Sequence, residues 1–120
     1  MITVWKIARW NPEAAVWQSP FLSFSPRNGA IPYDVGITSR PASLCGPLFG
    51  YTSLQVAESA MALFAPTARL RLYEAEAVRS HQQKYGWLTF PNGETVYSGF
   101  PEAGTVLCDE LTPLRVVFEG

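Results

Sequence analysis

The residue types that most often carry out chemistry are few in this chain and stand far apart. His81 is the only histidine, and Cys45 and Cys108 are the only cysteines. A zinc site needs three or four ligands at short spacings, and a Cys–His nucleophile pair needs two side chains in hydrogen-bond contact. Two distant cysteines in apolar stretches are typically reduced and buried. We therefore predict no metal site and favour buried thiols over a Cys–His pair.

Carboxylates are better represented. Glu74 and Glu76 are two residues apart, and Asp109 and Glu110 are adjacent. A like-charged pair can raise one pKa and divide the roles of acid and base. The arginines of the same segment can instead balance this charge in exposed ion pairs, which are common and contribute little to stability. We favour the ion-pair interpretation.

Arginine and aromatic residues are the most distinctive part of the composition. Seven of the nine cations are arginine, and the chain has four tryptophans. Arginine suits bidentate contacts with carboxylate or phosphate, and Trp, Tyr and Arg dominate binding hot spots. Core packing of the aromatic residues is the alternative. The sequence predicts a contact surface drawn from Trp10, Trp17, Phe21, Phe24, Arg69, Arg71, Arg79, Trp87 and Tyr97.

The glycines of the run GPLFGYTS form neither of the common phosphate-binding motifs. Gly50 instead predicts close packing of a strand on the following helix, or a bulge. A formal net charge of −1 also disfavours broad nucleic-acid binding. Local contacts through Arg69, Arg71 and Arg79 stay open as a weaker alternative.

The elements that must position these residues follow from periodicity. ITVWKIARW alternates with period two and predicts a strand, while NPEAAVWQSP begins with a helix-start signature and predicts a short helix at about 12–18. A capping box at Thr52 and Gln55 predicts the main helix at about 53–65. Two aromatic runs around Asn-Gly predict a hairpin at about 85–100. The fold class is α+β, with a twisted, mostly antiparallel sheet of about six strands packed on one main helix.

Length and composition fit a single compact domain over residues 1–120, with a Pro/Gly-rich arm at about 19–47. No apolar run has the length of a membrane span, and the N-terminus lacks the order of a signal peptide. We therefore expect a cytoplasmic protein with no membrane partner. The oligomeric state stays open.

Two further runs of the chain are GPLFGYTSLQVAESAMALFAPTARLRLYEAEA, residues 46–77, and GTVLCDELTPLRVV, residues 104–117. Both runs resemble compact ADP-ribosyltransferase-like domains, including small phage and bacterial versions. The resemblance implies an α+β fold and NAD as cofactor. It places Arg9 or Lys6 on the nicotinamide side and Tyr51, Thr52 or Ser53 along the pocket.

The same resemblance implies a glutamate near Gly104 or Thr105, and none stands there. Glu102 is slightly too early and Asp109 too late, and a shift by an odd number of residues points a strand side chain to the other face. Without a carboxylate to stabilise developing positive charge, transfer chemistry should be crippled. The resemblance therefore supports the fold more than the activity.

Two functions follow from these observations. The first is a non-catalytic module that binds another protein and needs no cofactor, such as a phage- or mobile-element-encoded inhibitor of a bacterial defence complex, similar to an anti-CRISPR. The second is an NAD-dependent ADP-ribosyltransferase or NAD glycohydrolase with a displaced acid, using Arg9, Tyr51, Ser53 and Glu102. We favour the first.

Overall fold

The computed structural model describes residues 1–19, 31–41, 47–64, 66–81, 85–86, 98–99 and 103–120. These residues form an α+β fold, as predicted, in which a five-stranded antiparallel sheet accompanies one helix and a separate two-stranded pair. The elements are β1 (Ile2–Asn11), β2 (Val16–Gln18), β3 (Leu48–Tyr51), α1 (Leu54–Met61), β4 (Leu70–Arg79), β5 (Tyr85–Gly86), β6 (Ser98–Gly99) and β7 (Thr105–Glu119).

The first strand organises the sheet because it pairs along both of its edges. β4 pairs with β1 from Ile2 to Arg9. On the other edge, β3 pairs at Trp5 and β2 pairs from Arg9 to Asn11. β7 pairs with both β3 and β4, so β1, β4, β7 and β3 close into a ring.

The alternation of β1 divides its side chains between two apolar cores, as period two requires. Val4 and Ala8 belong to the first core, which also contains Tyr33, Tyr73 and Cys108. The second core lies against the helix and is built from Ile7, Tyr51, Ala57, Leu70 and Leu72. Leu70 and Leu72 of β4 are both buried in this second core.

The helix begins one residue later than the capping box predicts. Ser53, in extended conformation, is the N-cap, and its hydroxyl accepts a hydrogen bond from the Val56 amide at 3.2 Å. Thr52 instead donates its hydroxyl to the Gly104 carbonyl oxygen at 3.1 Å. The helix also ends at Met61, short of the predicted residue 65, because the next residues close i→i+3 turns ahead of Pro66.

The predicted short helix at about 12–18 is wrong. Asn11 does accept hydrogen bonds from the Glu13 and Ala14 amides through its side-chain oxygen, at 3.1 and 3.4 Å. After Ala15, which has a φ of 55°, the chain turns back and pairs with β1 as β2. The same Asn-Pro start serves an Asx turn as well as a helix cap, so the local signal was ambiguous.

β7 is one strand of 15 residues. Its pairing with β4 shifts register at three places, including Leu72/Tyr73 and Glu74/Ala75. Such bulges change which face a side chain occupies. Leu114, Val116 and Phe118 are therefore exposed, although simple alternation places them toward the core.

The ends of the predicted hairpin pair antiparallel, with Tyr85 opposite Gly99 and Gly86 opposite Ser98. Residues 87–97 and 100 lie outside the described residues. In the Pro/Gly-rich arm the described part is 31–41, where Ile31, Tyr33 and Ser39 are buried. Tyr33 donates its amide to the Trp17 carbonyl, and Ser39 pairs with Leu111, so this part packs on the sheet. In the described part of the chain, no helix has the length and apolar character needed to cross a membrane.

Candidate binding site: an arginine–tryptophan cluster

Four of the predicted contact residues meet where β1, β2 and β4 lie side by side. Trp10 and Trp17 are directly opposite in the β1–β2 pairing. Trp10 also donates its amide to the Arg69 carbonyl at 3.0 Å, and Arg71 lies opposite Ala8 two residues further along β4. Backbone pairing alone therefore brings together two indoles and two guanidinium groups from three segments.

The side chains of these four residues contact one another. The two indole rings have centroids 5.3 Å apart and planes tilted by 55°. The Arg69 guanidinium lies 5.4 Å from the Trp10 ring and 5.3 Å from the Trp17 ring, and the Arg71 guanidinium lies 4.1 Å from the Trp17 ring. All three distances are within the range of cation–π attraction.

A carboxylate completes the group, and we call Trp10, Trp17, Arg69, Arg71 and Glu119 the Arg–Trp cluster. Oε1 of Glu119 accepts a hydrogen bond from Arg71 at 2.9 Å and lies 3.6 Å from the nearest nitrogen of Arg69. Sequence reasoning missed Glu119, because its position depends on the register between β4 and β7, which are far apart in the chain. One signal was available: Arg115 and Glu119, of opposite charge, flank the last apolar run of the sequence.

The cluster has an inner and an outer part. Trp17 is buried, and the Arg71 side chain is only 19% exposed. The Arg69 side chain is 58% exposed and that of Glu119 is 39% exposed. Arg69 and Glu119 can therefore meet another molecule, while Trp17 and Arg71 hold them from beneath.

Arg71 connects the cluster to the first core. It donates one hydrogen bond to the Tyr73 hydroxyl at 3.3 Å, and that hydroxyl donates to the Tyr33 carbonyl at 3.2 Å. Burial acts to lower the pKa of Arg71, but the hydrogen bonds with Tyr73 and Glu119 outweigh it, so the pKa lies above its usual value. Burial raises the pKa of Tyr73. Both groups therefore keep their protons at neutral pH, and the guanidinium is permanently charged.

Lys6 is the second unusual group, and it lies inside the protein. Its amino group is buried, donates to the Phe49 carbonyl at 2.9 Å and lies 4.8 Å from the Tyr33 ring centroid. Burial lowers the pKa of Lys6 to about 8, with an opposing effect from Cys108 nearby. Burial also raises the pKa of the Cys108 thiol to about 11. Neither group has the exposure that attack on a ligand requires.

The Tyr33 hydroxyl lies in the same interior. It is buried and has no hydrogen-bond partner among the described residues, although the Ser19 hydroxyl is close enough to influence its titration. Burial raises the pKa of Tyr33 well above its usual value, and the effect of Ser19 opposes this rise without cancelling it. The tyrosine is therefore a neutral group throughout the physiological range.

Arg79 is not part of the cluster. It is exposed at the other end of β4, opposite Cys108. The remaining predicted contact residues, Phe21, Phe24, Trp87 and Tyr97, lie outside the described residues.

The residues implied by the enzyme resemblance are distributed as follows. Tyr51 is buried in the second core, and the Ser53 hydroxyl caps the helix. Arg9 lies four residues along β1 from Trp5, the partner of Tyr51, which is about 13 Å along an extended strand. Glu102 lies outside the described residues.

One open groove of about 400 Å³ runs along residues 31–40. Its polar side chains are engaged in the structure, since Ser39 donates to the Pro32 carbonyl and Arg40 pairs with Glu110 at 2.8 Å. Asp34 accepts the amide of Val35. The described residues also contain no group of three or more His, Cys, Asp or Glu side chains arranged to hold a metal ion.

Neither a family model nor a curated protein nor a solved structure matches this chain. The resemblance to ADP-ribosyltransferase-like domains therefore stays a hypothesis drawn from two runs of sequence. The Arg–Trp cluster has to be interpreted from its own contacts.

Proposed function

We propose that this protein is a non-catalytic module that binds another protein through the Arg–Trp cluster. The observation that carries the proposal is the position of Arg69, which presents an exposed guanidinium beside two tryptophans. Arginine and tryptophan are the residue types on which protein–protein contacts most depend. An inhibitor of a bacterial defence complex is one form of such a module.

Preorganisation also supports this function. Binding usually costs about 0.5–1.5 kcal/mol for each flexible side chain that becomes fixed at an interface. Here Trp17 is buried, and Arg71 is held by Tyr73 and Glu119 before any partner arrives. Part of the ordering cost is therefore met during folding.

Affinity capture with matched variants tests the proposal. Immobilised wild-type protein, Arg69→Glu and Arg79→Glu are exposed to the same bacterial lysate, and the retained proteins are compared by mass spectrometry. Arg79 provides the control because it is an exposed arginine at the end of β4, whereas Arg69 directly precedes the start of that strand. We expect proteins that bind the wild type and Arg79→Glu but not Arg69→Glu.

The same captured set for the wild type and Arg69→Glu would reject the cluster as the contact surface. Far-UV circular dichroism should show that all three proteins are folded. Since Arg69 is mostly exposed, its replacement should leave the cores intact.

The second candidate is the NAD-dependent enzyme. Residues 46–77, which carry the resemblance, contain β3, α1 and most of β4, and Tyr51 and Ser53 stand at the junction of β3 and α1. Saturation-transfer NMR with NAD tests this candidate. Binding that disappears in Glu102→Gln, together with nicotinamide release by the wild type, would rank the enzyme above the binding module.

A further inference from the structure

We propose that the group recognised by the Arg–Trp cluster is a carboxylate of an acidic side chain on the partner, bound by Arg69. This inference rests on the proposed binding function and specifies its chemistry. It is carried by the unequal way in which the two arginines of the cluster are already paired.

Glu119 belongs to Arg71 more than to Arg69. Its Oε1 atom is 2.9 Å from Arg71, in a hydrogen bond, but 3.6 Å from Arg69, beyond the usual range of an N–H···O bond. Within the described residues, the contacts given by the Arg69 guanidinium are this long ion pair and the two indole rings. Its guanidinium carries five N–H donors, and a carboxylate can accept two of them side by side.

The charges of the cluster favour a single negative group. Two guanidinium groups share one carboxylate, which leaves one positive charge without a close counterion in the cluster. One further carboxylate balances that charge. A dianionic phosphate would meet stronger repulsion from Glu119 than a carboxylate, which carries a single charge, and a nucleic-acid strand would need several aligned cations, whereas Arg79 is at the far end of β4.

The indole rings strengthen such a contact. Trp10 and Trp17 lie against Arg69 and exclude water from part of the guanidinium. Charge-assisted hydrogen bonds gain strength where the local dielectric constant is low. Arg69 is thus a better carboxylate receptor than an isolated surface arginine.

Binding of defined probes tests the inference. A peptide of six glutamates is titrated into the protein, and the tryptophan fluorescence and the indole N–H resonances of Trp10 and Trp17 are followed. A peptide of six glutamines, inorganic phosphate and a thymidine oligonucleotide serve as comparison probes. We expect saturable binding of the glutamate peptide that is tighter than binding of the other three.

Variants separate Arg69 from general charge attraction. Arg69→Gln should abolish binding of the glutamate peptide, and Arg69→Lys should weaken it because the bidentate fork is lost. Arg79→Gln should bind as the wild type does. Glu119→Gln should bind about two- to fivefold more tightly, because it removes a like charge beside the site.

Equal affinity of the wild type and Arg69→Gln for the glutamate peptide would overturn the inference, as would tighter binding of phosphate or the oligonucleotide. The inference also fails if captured proteins depend on Arg69 but are not displaced by the glutamate peptide, and in that case the binding function stands. If capture does not depend on Arg69 at all, the proposed function fails first.

Discussion

Lys6 shows how a charged residue can occupy an apolar strand face. Lys6 lies on the same face of β1 as Val4 and Ala8, which both belong to the first core. A buried amine is costly unless it is hydrogen-bonded or loses its proton. The Phe49 carbonyl and the Tyr33 ring provide partial compensation, and the lowered pKa reflects the cost of burying the charge that these contacts leave.

The titration of Lys6 makes stability depend on pH. Its pKa is about 8 in the folded protein, against an ordinary value of 10.5. Between these values the unfolded chain binds more protons than the folded one, so the free energy of unfolding rises with pH. Cys108 acts in the opposite sense above pH 9, because burial raises its pKa from 9.0 to about 11. We expect a rise of up to about 1 kcal/mol between pH 8 and 9.

Urea unfolding at pH 7, 8 and 9 measures this rise. Lys6→Met keeps the length of the side chain without the titrating group, so it should lack this rise and keep only the smaller, opposing effect of Cys108. Cys108→Ala should extend the rise of the lysine-containing protein toward pH 10. If the wild type and Lys6→Met change equally between pH 8 and 9, the buried amine does not titrate as the structure implies.

Among the strands, β3 is the short element that closes the ring, and its approach to β1 depends on Gly50. A Cβ atom at Gly50 would lie 2.9 Å from Cβ of Val4 and 3.0 Å from one of its methyl groups. The close packing predicted for this glycine is therefore present, but it is against β1 instead of the helix. Because Gly50 and Val4 both lie on paired strands, the backbone at these two positions has little room to shift.

Gly50→Ala should therefore destabilise the protein by about 1–3 kcal/mol. Val4→Ala alone should also destabilise it, since Val4 is buried in the first core. In the double variant the two Val4 methyl groups, at 3.0 and 3.2 Å from the new Cβ, are removed, while the contact with Cβ of residue 4 at 2.9 Å stays, so part of the overlap is relieved. We expect its loss of stability, measured by urea unfolding, to be smaller than the sum of the two single losses by about 1 kcal/mol. Strictly additive losses would show that the two positions do not touch.

The elements show which parts of the fold the sequence could predict. Regular alternation located β1, and a capping residue before an apolar face located the start of α1 within one residue and its end within four. The short helix failed because Asn11 and Pro12 suit a turn as well as a helix start, and the pairing of Trp17 with Trp10 decided between them. Alternation failed along β7 because its bulges depend on the partner strand.

The sequence predicted which types of residue form the candidate site, but it did not predict which individual residues belong to it. Arginine and tryptophan enrichment pointed to Trp10, Trp17, Arg69 and Arg71, which the sheet brings together. Local sequence could not distinguish Arg79 from the arginines of the cluster, because Arg79 and Arg71 lie on the same strand and differ only in their position along it. Placing Glu119 in the cluster requires knowledge of the register between β4 and β7. Recognising the contact of Lys6 with the Tyr33 ring requires knowledge of where the arm that carries Tyr33 packs.

The molecule as a whole has two cores that share the same strands. β1 contributes Val4 and Ala8 to the first core and Ile7 to the second, and β4 contributes in the same way through Tyr73 and Leu72. Neither core can be lost while these strands stay paired. The two cores should therefore behave as one cooperative unit, as expected for a single domain of this size.

Two tryptophans can report on the cores separately. Trp5 packs against the second core and Trp17 belongs to the first. In variants that keep only Trp5 or only Trp17, with the other tryptophans changed to Phe, fluorescence and far-UV circular dichroism are followed through urea unfolding. We expect each variant to lose some stability, but within each one the two signals should give the same midpoint. A Trp17 signal that changes at lower urea than the circular dichroism would mean that the arm and the Arg–Trp cluster open before the ring of strands does. The binding surface would then unfold separately from the rest of the protein. That result would contradict the preorganisation on which carboxylate recognition by Arg69 depends.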